Sequence, residues 1–419
     1  YMHRFSSFLF SPATKRILTV ASSGVVTSAA LLYARVNYLT QSEGDLVSPP
    51  SFGIASLNGI RSKRSVNDGD IETLDSLILI GGTAHKALTE EISALINAPI
   101  TNATLSRYSD GETAIQIDQN IRGCDVFIIQ PCAAPVNDSI MELLLTVSCA
   151  RRAGARRIIA VIPYFGYKHH RRGSQISSKH HTRFLSSGAM DFAAMLQEMG
   201  VDRVIAVDLQ RPGQGHEACF FDNNVPLETI VTNDLFIDYL VKELPLQEPI
   251  LVVAPNAECV KKTKKFQVGL QQRLPGKDIK IAAFLPQDSS SGPTDTTKLA
   301  LLGNPTVDGA DVIIVDDMVD SADTLQNLSA KLAAAGARHV YLCASHGLFT
   351  EDAMKRIDES AVDQVVVTNS LPVPKTTSLS SSSNKVKQLS VAPLLAQVIV
   401  TEHFRGQAFN TPTEVFELE

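Results

Sequence analysis

The sequence predicts an α/β protein with parallel sheets flanked by helices, arranged in two domains. Three observations lead to this fold class. The chain has 419 residues of ordinary globular composition, 44% hydrophobic and 20% charged, which is enough for two domains of the usual size. Apolar runs of strand length alternate with amphipathic runs of helix length, as in βαβ units. The two halves also resemble each other. The net charge of −6 gives no indication of a nucleic-acid partner.

The first 42 residues differ from the rest of the chain. No acidic residue occurs before Glu43, and four basic residues lie within a Ser/Thr-rich, apolar stretch. This composition is typical of an organelle transit peptide, although residues 17–34 are also uncharged and long enough to be considered a weak membrane anchor. We interpret residues 1–42 as a mitochondrial presequence, with a plastid transit peptide, an anchor or a cytoplasmic protein as alternatives. The polar segment 43–73 is interpreted as a linker.

From residue 74 onwards, strand and helix patterns alternate. The first predicted domain, residues 74–225, contains the strand patterns LILIGG, DVFIIQ, RIIAVIPYF and RVIAVD, separated by helix-length segments. The second predicted domain, residues 226–409, contains ILVVAP, IKIAAFL, DVIIVDD, VYLCASHG and QVVVTNS. Near-continuous apolar strands of this kind are typical of parallel sheets covered on both faces. Residues 410–419 are assigned to a tail.

An internal repeat supports the division into two similar domains. GCDVFIIQ at 123–130 matches GADVIIVD at 309–316, and AGARRIIAV at 153–161 matches AGARHVYLC at 335–343. The two offsets, 186 and 182 residues, are nearly equal, and the order of the segments is kept. A duplicated α/β unit explains both the order and the spacing.

The stretch DVIIVDDMVDSADTL at 311–325 predicts a ligand site. Its apolar strand ends in Asp316 and Asp317, and open α/β sheets bind ligands at the carboxyl ends of their strands. Adjacent carboxylates there can bind sugar hydroxyls or Mg²⁺. The turn from Asp320 to Thr324 offers backbone N–H groups and a helix N-terminus, which suit a phosphate. The alternative is a simple helix start, with Asp320 or Ser321 as its N-cap, and the residues alone leave both interpretations open.

The segment from RYSDGETA to IIAVIPYFGY, residues 107–167, resembles the first domain of the ribose-phosphate pyrophosphokinases, which are also called phosphoribosyl pyrophosphate (PRPP) synthetases. The likeness continues over about 74–409 through VDRVIAVDL, SHGLF and VVVTNSLP. It implies two phosphoribosyltransferase-type domains and a family-type oligomer. It also implies a reaction in which ATP transfers its β,γ-diphosphoryl group to ribose 5-phosphate, with Mg²⁺, to give PRPP and AMP. ATP or ADP, ribose 5-phosphate and phosphate are the implied ligands.

The resemblance also implies roles for individual residues. The ribose-phosphate site would be formed by Asp316, Asp317, Asp320, Ser321 and Thr324. The ATP site would be formed by Tyr108, Asp110, Glu112, His169, His170 and Arg171. The metal positions fall on Gln210 and Asn256, with His216 and Glu258 as candidate substitutes.

Several of these positions depart from the family pattern in ways that weaken metal and nucleotide binding. The loop after PYFGY is Lys168-His169-His170-Arg171-Arg172 where the family usually has Ala-Arg-Gln-Asp-Arg, so it remains basic without its usual arginine. Gln210 replaces a metal-binding histidine, and Asn256 replaces an aspartate.

The two phosphate-handling loops also depart from the family pattern. The lysine and arginine of the family's catalytic loop fall near Pro286, Gln287 and Asp288, and Lys298 is the only basic residue in 284–303. The family's Thr-Gly-Gly-Thr phosphate loop is Ser321-Ala322-Asp323-Thr324. We expect the loss of glycine to remove access to positive φ, and Asp323 to bring a negative charge towards a phosphate.

These departures predict a catalytically weak homologue that assembles with an active PRPP synthetase paralogue and regulates it. The alternative is a divergent but active enzyme, in which other residues compensate for the substitutions. The candidates for compensation are His169, His170, His216, Glu258 and Lys298.

Overall fold

The structure is a computed structural model, and it describes residues 74–167, 188–209, 221, 225–256, 258–286, 297–300, 306–372 and 384–404. The predicted transit peptide 1–42, the linker 43–73 and the tail 410–419 therefore lie outside the described residues. Asp70–His403 form one compact unit. None of the helices in the described ranges is long and apolar enough to span a bilayer.

The predicted α/β class, with parallel sheets flanked by helices, is confirmed. In the described part of the first half, the strands that form one parallel sheet, in spatial order, are β1 (Leu77–Gly81), β4 (Asp125–Ile129), β5 (Arg157–Ile162), β6 (Arg203–Val207) and β7 (Leu227–Ile230). The helices of this half are α1 (Lys86–Ile96), α2 (Val136–Arg152) and α3 (Gly188–Glu198). A separate antiparallel hairpin joins β2 (Ala103–Arg107) to β3 (Thr113–Ile117).

The second sheet is larger and has one antiparallel edge. In the described ranges, its strands in spatial order are β10 (Thr297–Ala300), β9 (Ile279–Pro286), β8 (Ile250–Ala254), β11 (Asp311–Val319), β12 (His339–Gly347), β13 (Gln364–Thr368) and β14 (Val386–Leu389). Only the β10–β9 pair is antiparallel among these. The described helices that follow α3 along the chain are α4 (Asn233–Glu243), α5 (Val260–Arg273), α6 (Asp323–Ala334), α7 (Ala353–Glu359) and α8 (Ala392–Phe404).

Alternating strand residues point into apolar clusters on the two faces of the sheet, as the continuous apolar runs predict. Ile78 and Val126 point into one cluster of the first sheet, whereas Leu79 and Phe127 point into the other. Leu395 and Ile399 of α8 belong to the second of these clusters. The last described helix therefore packs on the first sheet, and β7 joins that sheet from beyond residue 225. The division into 74–225 and 226–409 stays a prediction.

The repeat found in the sequence has a structural counterpart. Asp125 is paired in register with Arg157 on the next strand, and Asp311 is paired in the same way with His339. Both aspartates are fully buried. Arg156 Nε donates to Asp125 Oδ1 over 2.9 Å, and Arg338 Nε donates to Asp311 Oδ1 over 2.7 Å. The same ion pair thus fixes the start of the second strand of each repeat, which is β5 in the first half and β12 in the second.

Candidate functional site

Asp316 and Asp317 lie near the carboxyl end of β11, as the sequence predicts, and both are partly buried. The backbone N–H of Asp317 donates to Asp316 Oδ1 over 2.8 Å, and the thiol of Cys259 lies 3.6 Å from the same oxygen. Burial, followed by the neighbouring charge of Asp317, raises the pKa of Asp316 to about 7. Because a raised pKa means that the charged form is disfavoured, this pair would be stabilised by a cation or by hydroxyl donors.

The turn after β11 does not use the predicted N-caps. Helix α6 begins at Asp323, its N-cap is Ala322, and no side chain caps it. Asp320 instead accepts a hydrogen bond from the hydroxyl of Thr350 over 2.6 Å, and Ser321 donates to Asp323 Oδ2 over 2.7 Å. The alternative in which Asp320 or Ser321 simply caps the helix is therefore not observed, because both side chains form other hydrogen bonds.

Ala322 adopts φ 64° and ψ 8°, in the left-handed region. We expected the loss of glycine to remove access to this conformation, and that expectation is wrong for Ala322. The left-handed conformation costs an L-residue with a Cβ roughly 1–2 kcal/mol. Burial of the Ala322 methyl group among apolar residues of the second sheet is the compensation that the structure offers. The loop thus keeps a backbone shape that glycine would adopt more easily.

Arg356 pairs with the acidic residue of the same loop. Its Nε lies 3.0 Å from Asp323 Oδ1, and its Nη1 donates to the carbonyl oxygen of Ser321 over 2.9 Å. Asp323 is 58% exposed and is the first residue of α6, where a helix dipole favours a negative charge. The negative charge that the sequence places in this loop is therefore partly balanced within the protein.

A buried cluster of polar side chains, which the sequence did not predict, contacts the backbone of the aspartate pair. The ammonium group of Lys262 on α5 bonds to the Asp208 carboxylate and donates to the backbone carbonyl of Asp316 over 2.6 Å. Ser345 on β12 bonds to Asp208 as well. One signal was available, because Lys262 lies four residues before Phe266 on the buried face of α5. A lysine on an apolar helix face requires an acidic partner.

The predicted metal positions are only partly described. Asn256 Oδ1 accepts the backbone N–H of Cys259 over 3.0 Å, so this amide supports the turn before α5. Glu258 is partly buried in that turn. Gln210 and His216 lie outside the described residues. Within the described ranges, no three His, Cys, Asp or Glu side chains are grouped so that they could hold a metal ion.

The predicted ATP segment forms the tip of the β2–β3 hairpin. Tyr108 is 63% exposed, its backbone N–H donates to the Glu112 carbonyl over 2.8 Å, and the N–H of Glu112 donates to Asp110 Oδ1 over 3.1 Å. All three residues are exposed. The other predicted ATP residues, His169, His170 and Arg171, lie outside the described part of the chain.

The predicted catalytic loop leaves the second sheet at Pro286, the last residue of β9, while Gln287 and Asp288 lie outside the described residues. The chain returns in β10, where Lys298 pairs in register with Leu285. The backbone of Lys298 is therefore close to the position at which the loop departs.

Comparisons with known proteins give a consistent result. Residues 77–200 match the model of the N-terminal domain of ribose phosphate pyrophosphokinase, and residues 272–408 match that of the phosphoribosyl synthetase-associated domain. The chain is 33% identical to "Ribose-phosphate pyrophosphokinase 1, chloroplastic" of Arabidopsis thaliana, over 83% of this chain and 79% of that protein. It is 31% identical to "Ribose-phosphate pyrophosphokinase 2, chloroplastic" of the same plant, over 96% and 94%.

A solved structure is similar as well. The phosphoribosylpyrophosphate synthetase from Mycobacterium smegmatis superimposes with a TM-score of 0.65 and 27% sequence identity, covering 78% of this chain and 98% of that one. This similarity confirms the predicted phosphoribosyltransferase-type fold.

Proposed function

This chain belongs to the ribose-phosphate pyrophosphokinase family, and we propose that it is a catalytically weak member that binds the family's ligands and regulates an active paralogue in a shared oligomer. The proposal separates ligand binding from turnover. Ligand binding depends on the residues at the carboxyl ends of the sheet strands. Turnover also depends on cations placed around the phosphates that are transferred. Relative to the family pattern, this chain keeps the aspartates that would bind the ligand and lacks the two cations of the catalytic loop.

The aspartate pair supports retained binding of a ribose phosphate. Asp316 and Asp317 lie two to three residues before the carboxyl end of a central strand of the second sheet, near the edge at which α/β proteins bind their ligands. Carboxylate oxygens also suit Mg²⁺, which is usually held by one or two carboxylates together with substrate phosphates. The pair thus fits a Mg²⁺ ion carried by the nucleotide, and such an ion would neutralise charge on the phosphates.

The internal pair of Asp323 and Arg356 is the observation that carries the proposal. A free arginine at a helix N-terminus would be well suited to a phosphate. Here the guanidinium is engaged by a carboxylate of the same loop. A phosphate dianion must therefore compete with Asp323 for the helix N-terminus and for Arg356. This competition weakens ribose 5-phosphate binding while the loop keeps its shape.

The catalytic loop supports the loss of turnover. Proline, glutamine and aspartate stand at Pro286, Gln287 and Asp288, near the positions where the family has its lysine and arginine. Diphosphoryl transfer depends mainly on positioning and on neutralising negative charge. Loss of one electrostatic donor reduces a rate by about two to three decades, so loss of both cations is enough to leave a weak enzyme.

One observation favours the alternative of a divergent but active enzyme. The pairing of Lys298 with Leu285 brings a basic residue's backbone next to the start of the catalytic loop. A lysine at that position is a candidate replacement for the missing cations. In that case Lys298→Met would abolish an activity that the wild-type chain possesses.

An assay of ATP conversion to AMP separates these two functions. We expect the full chain alone to form little AMP with ribose 5-phosphate. Mixed with a family-typical paralogue from the same source, it should co-purify with that paralogue and change the paralogue's rate or its response to phosphate. Full turnover by the chain alone would support the active alternative. Failure to associate would contradict the regulatory role.

The relatives bear on localisation too. Both Arabidopsis relatives carry "chloroplastic" in their names, which supports the plastid alternative for the acid-free segment 1–42. Neither of these names supports the mitochondrial interpretation, which rests on composition alone. We therefore propose a plastid destination for this chain.

A further inference from the structure

Lys262 forms bonds to both halves of the molecule through one ammonium group. Its side chain is 6% exposed, and that of its ion-pair partner Asp208 is 5% exposed. The same ammonium donates to the backbone carbonyl of Asp316 over 2.6 Å and lies 3.3 Å from the hydroxyl of Ser345. Asp208 follows β6 in the first sheet, whereas Asp316 lies in β11 of the second sheet. Lys262 therefore bridges two strand ends that belong to different sheets.

Further hydrogen bonds fix the Asp208 end of this bridge. The Asp208 carboxylate accepts from the Ser345 hydroxyl, which lies 2.9 Å from the hydroxyl of Thr232. The backbone N–H of Asp208 donates to Ile230 over 2.8 Å, and its φ of 45° is a conformation that few non-glycine residues adopt. The cluster therefore leaves the Asp208 turn little freedom to move by itself.

The electrostatics favour a charged lysine. Burial alone would lower the pKa of Lys262, but the Asp208 carboxylate, assisted by Asp317 and Asp316, raises it. A buried ammonium is stable only when its donors are paired, and here a carboxylate, a backbone carbonyl and a hydroxyl are all within reach. The same charge therefore holds both strand ends.

We propose that Lys262 is a positioning residue that couples the nucleotide side of the site to its ribose-phosphate side. Asp208 is two residues from Gln210, a predicted metal position that lies outside the described residues and that we assign to the nucleotide side, and the carbonyl of Asp316 precedes the side chain of Asp317 on the ribose side. A ligand that shifts either strand end changes the bonds of the shared ammonium and so biases the other end. The identity of the two ligands rests on the proposed function.

Hydrogen exchange in the absence of ligand tests the positioning role on its own. In the full chain, Lys262→Met should accelerate amide exchange together in peptides that cover residues 203–209 and 311–319, by about tenfold or more. Lys261→Met is the matched control, because Lys261 is the exposed neighbour on the same helix, and it should change neither peptide. Lys262→Arg should restore slow exchange in both. Acceleration in only one peptide, or in neither, would overturn the proposal.

Ligand binding tests the coupling. In the wild-type chain, saturating ADP should change the Kd of ribose 5-phosphate by about fivefold or more, with the reciprocal effect on ADP. Lys262→Met should remove this change, and Lys262→Arg should retain it. An unchanged coupling in Lys262→Met would overturn the proposal. If the wild-type chain bound neither ligand, the proposed function would fail, and the exchange result would still decide the positioning role.

A second variant covers the outcome in which Lys262→Met does not fold. Ser345→Ala keeps the ion pair and removes only the hydroxyl that bonds to Asp208, Lys262 and Thr232. We expect a smaller acceleration of exchange in the same two peptides. Normal exchange in both peptides would contradict the role of the cluster.

Discussion

Arg356 Nε lies 3.0 Å from Asp323 Oδ1, so the acidic residue of the phosphate loop is already paired inside the protein. The family pattern has glycine at this position, and glycine would remove one of the two carboxylate partners of Arg356, leaving Glu351 at 3.5 Å. The substitution of glycine by Asp323 is therefore expected to weaken phosphate binding. A phosphate must approach a helix N-terminus at which a carboxylate already stands and must compete for its arginine.

The charge of Asp323 should weaken ribose 5-phosphate binding. Asp323→Asn removes the charge, keeps the side-chain size and frees Arg356 from one of its two carboxylate partners, the other being Glu351, so we expect the Kd of ribose 5-phosphate to fall by about tenfold. Two like charges ~4–6 Å apart at an effective dielectric near 20 repel by a few kcal/mol, which the Arg356 pair reduces. Calorimetry measures the change. Asp358→Asn, at an exposed position on α7, is the control, and an equal effect there would contradict the explanation.

The buried carboxylate of Asp125 should make stability depend on acid pH. Burial alone would raise its pKa, but hydrogen bonds from His403, Arg157 and Arg156 outweigh burial and hold the pKa well below its ordinary value. Its stabilisation is therefore present above about pH 4 and is lost as the pH falls through the lowered pKa. Asp125→Asn should reduce the free energy of unfolding at pH 7 by about 3 kcal/mol and flatten the acid limb.

Urea unfolding between about pH 1.5 and 7 measures this profile, because the loss occurs below about pH 4. Asp118→Asn is the matched control, because Asp118 is exposed in the same half of the chain, and it should change stability by less than about 0.5 kcal/mol. An Asp125→Asn variant with the wild-type pH profile would show that the buried pair does not stabilise the first sheet in the way described.

Adenine nucleotide should bind without efficient turnover. Asp110 and Glu112 keep the family's SDGE segment, and the segment 168–183 is rich in basic residues. Because exposed cations are screened by salt, the Kd of ADP should rise between about 0.05 and 0.5 M NaCl. Calorimetry at both salt concentrations measures this. An absence of binding at millimolar ADP would exclude even a regulatory nucleotide site.

The segment 1–42 should carry a fused fluorescent reporter into plastids when expressed in plant cells. The physical basis is its basic, acid-free and serine-containing composition, and the plastid destination follows the names of the relatives. Replacing the basic residues of the segment with glutamine is the control and should leave the reporter in the cytosol. Mitochondrial import would support the mitochondrial interpretation instead. A wild-type fusion that stays in the cytosol would contradict both the plastid and the mitochondrial interpretation.

The sequence predicts the features of this protein that depend on local pattern. The apolar run before Asp316 and Asp317 predicts their position at a strand end, because such a run must be buried and the carboxylates must leave the core. The repeat predicts equivalent strands, and Asp125 and Asp311 have equivalent partners. Both inferences use short-range periodicity, which a single sequence carries well.

The features that depend on tertiary pairing could not be predicted in the same way. Lys262 and Asp208 are 54 residues apart along the chain, and nothing in either segment identifies the other. Arg356 likewise reaches the phosphate loop from α7. The left-handed backbone of Ala322 was missed because burial of its methyl group in the second core compensates for the strain, and only the folded structure shows that compensation.

The most direct test of the weak-catalysis account is PRPP formation by three forms of the full chain. These are the wild type, the loop repair Ala322→Gly with Asp323→Gly, and the loop repair combined with Gln287→Lys and Asp288→Arg. The repair removes a positive-φ alanine and a like charge, so it should tighten ribose 5-phosphate binding while turnover stays low. Restored cations should then raise turnover by about a hundredfold or more. Wild-type turnover at about 1–100 s⁻¹, the range typical of kinases, would contradict the account.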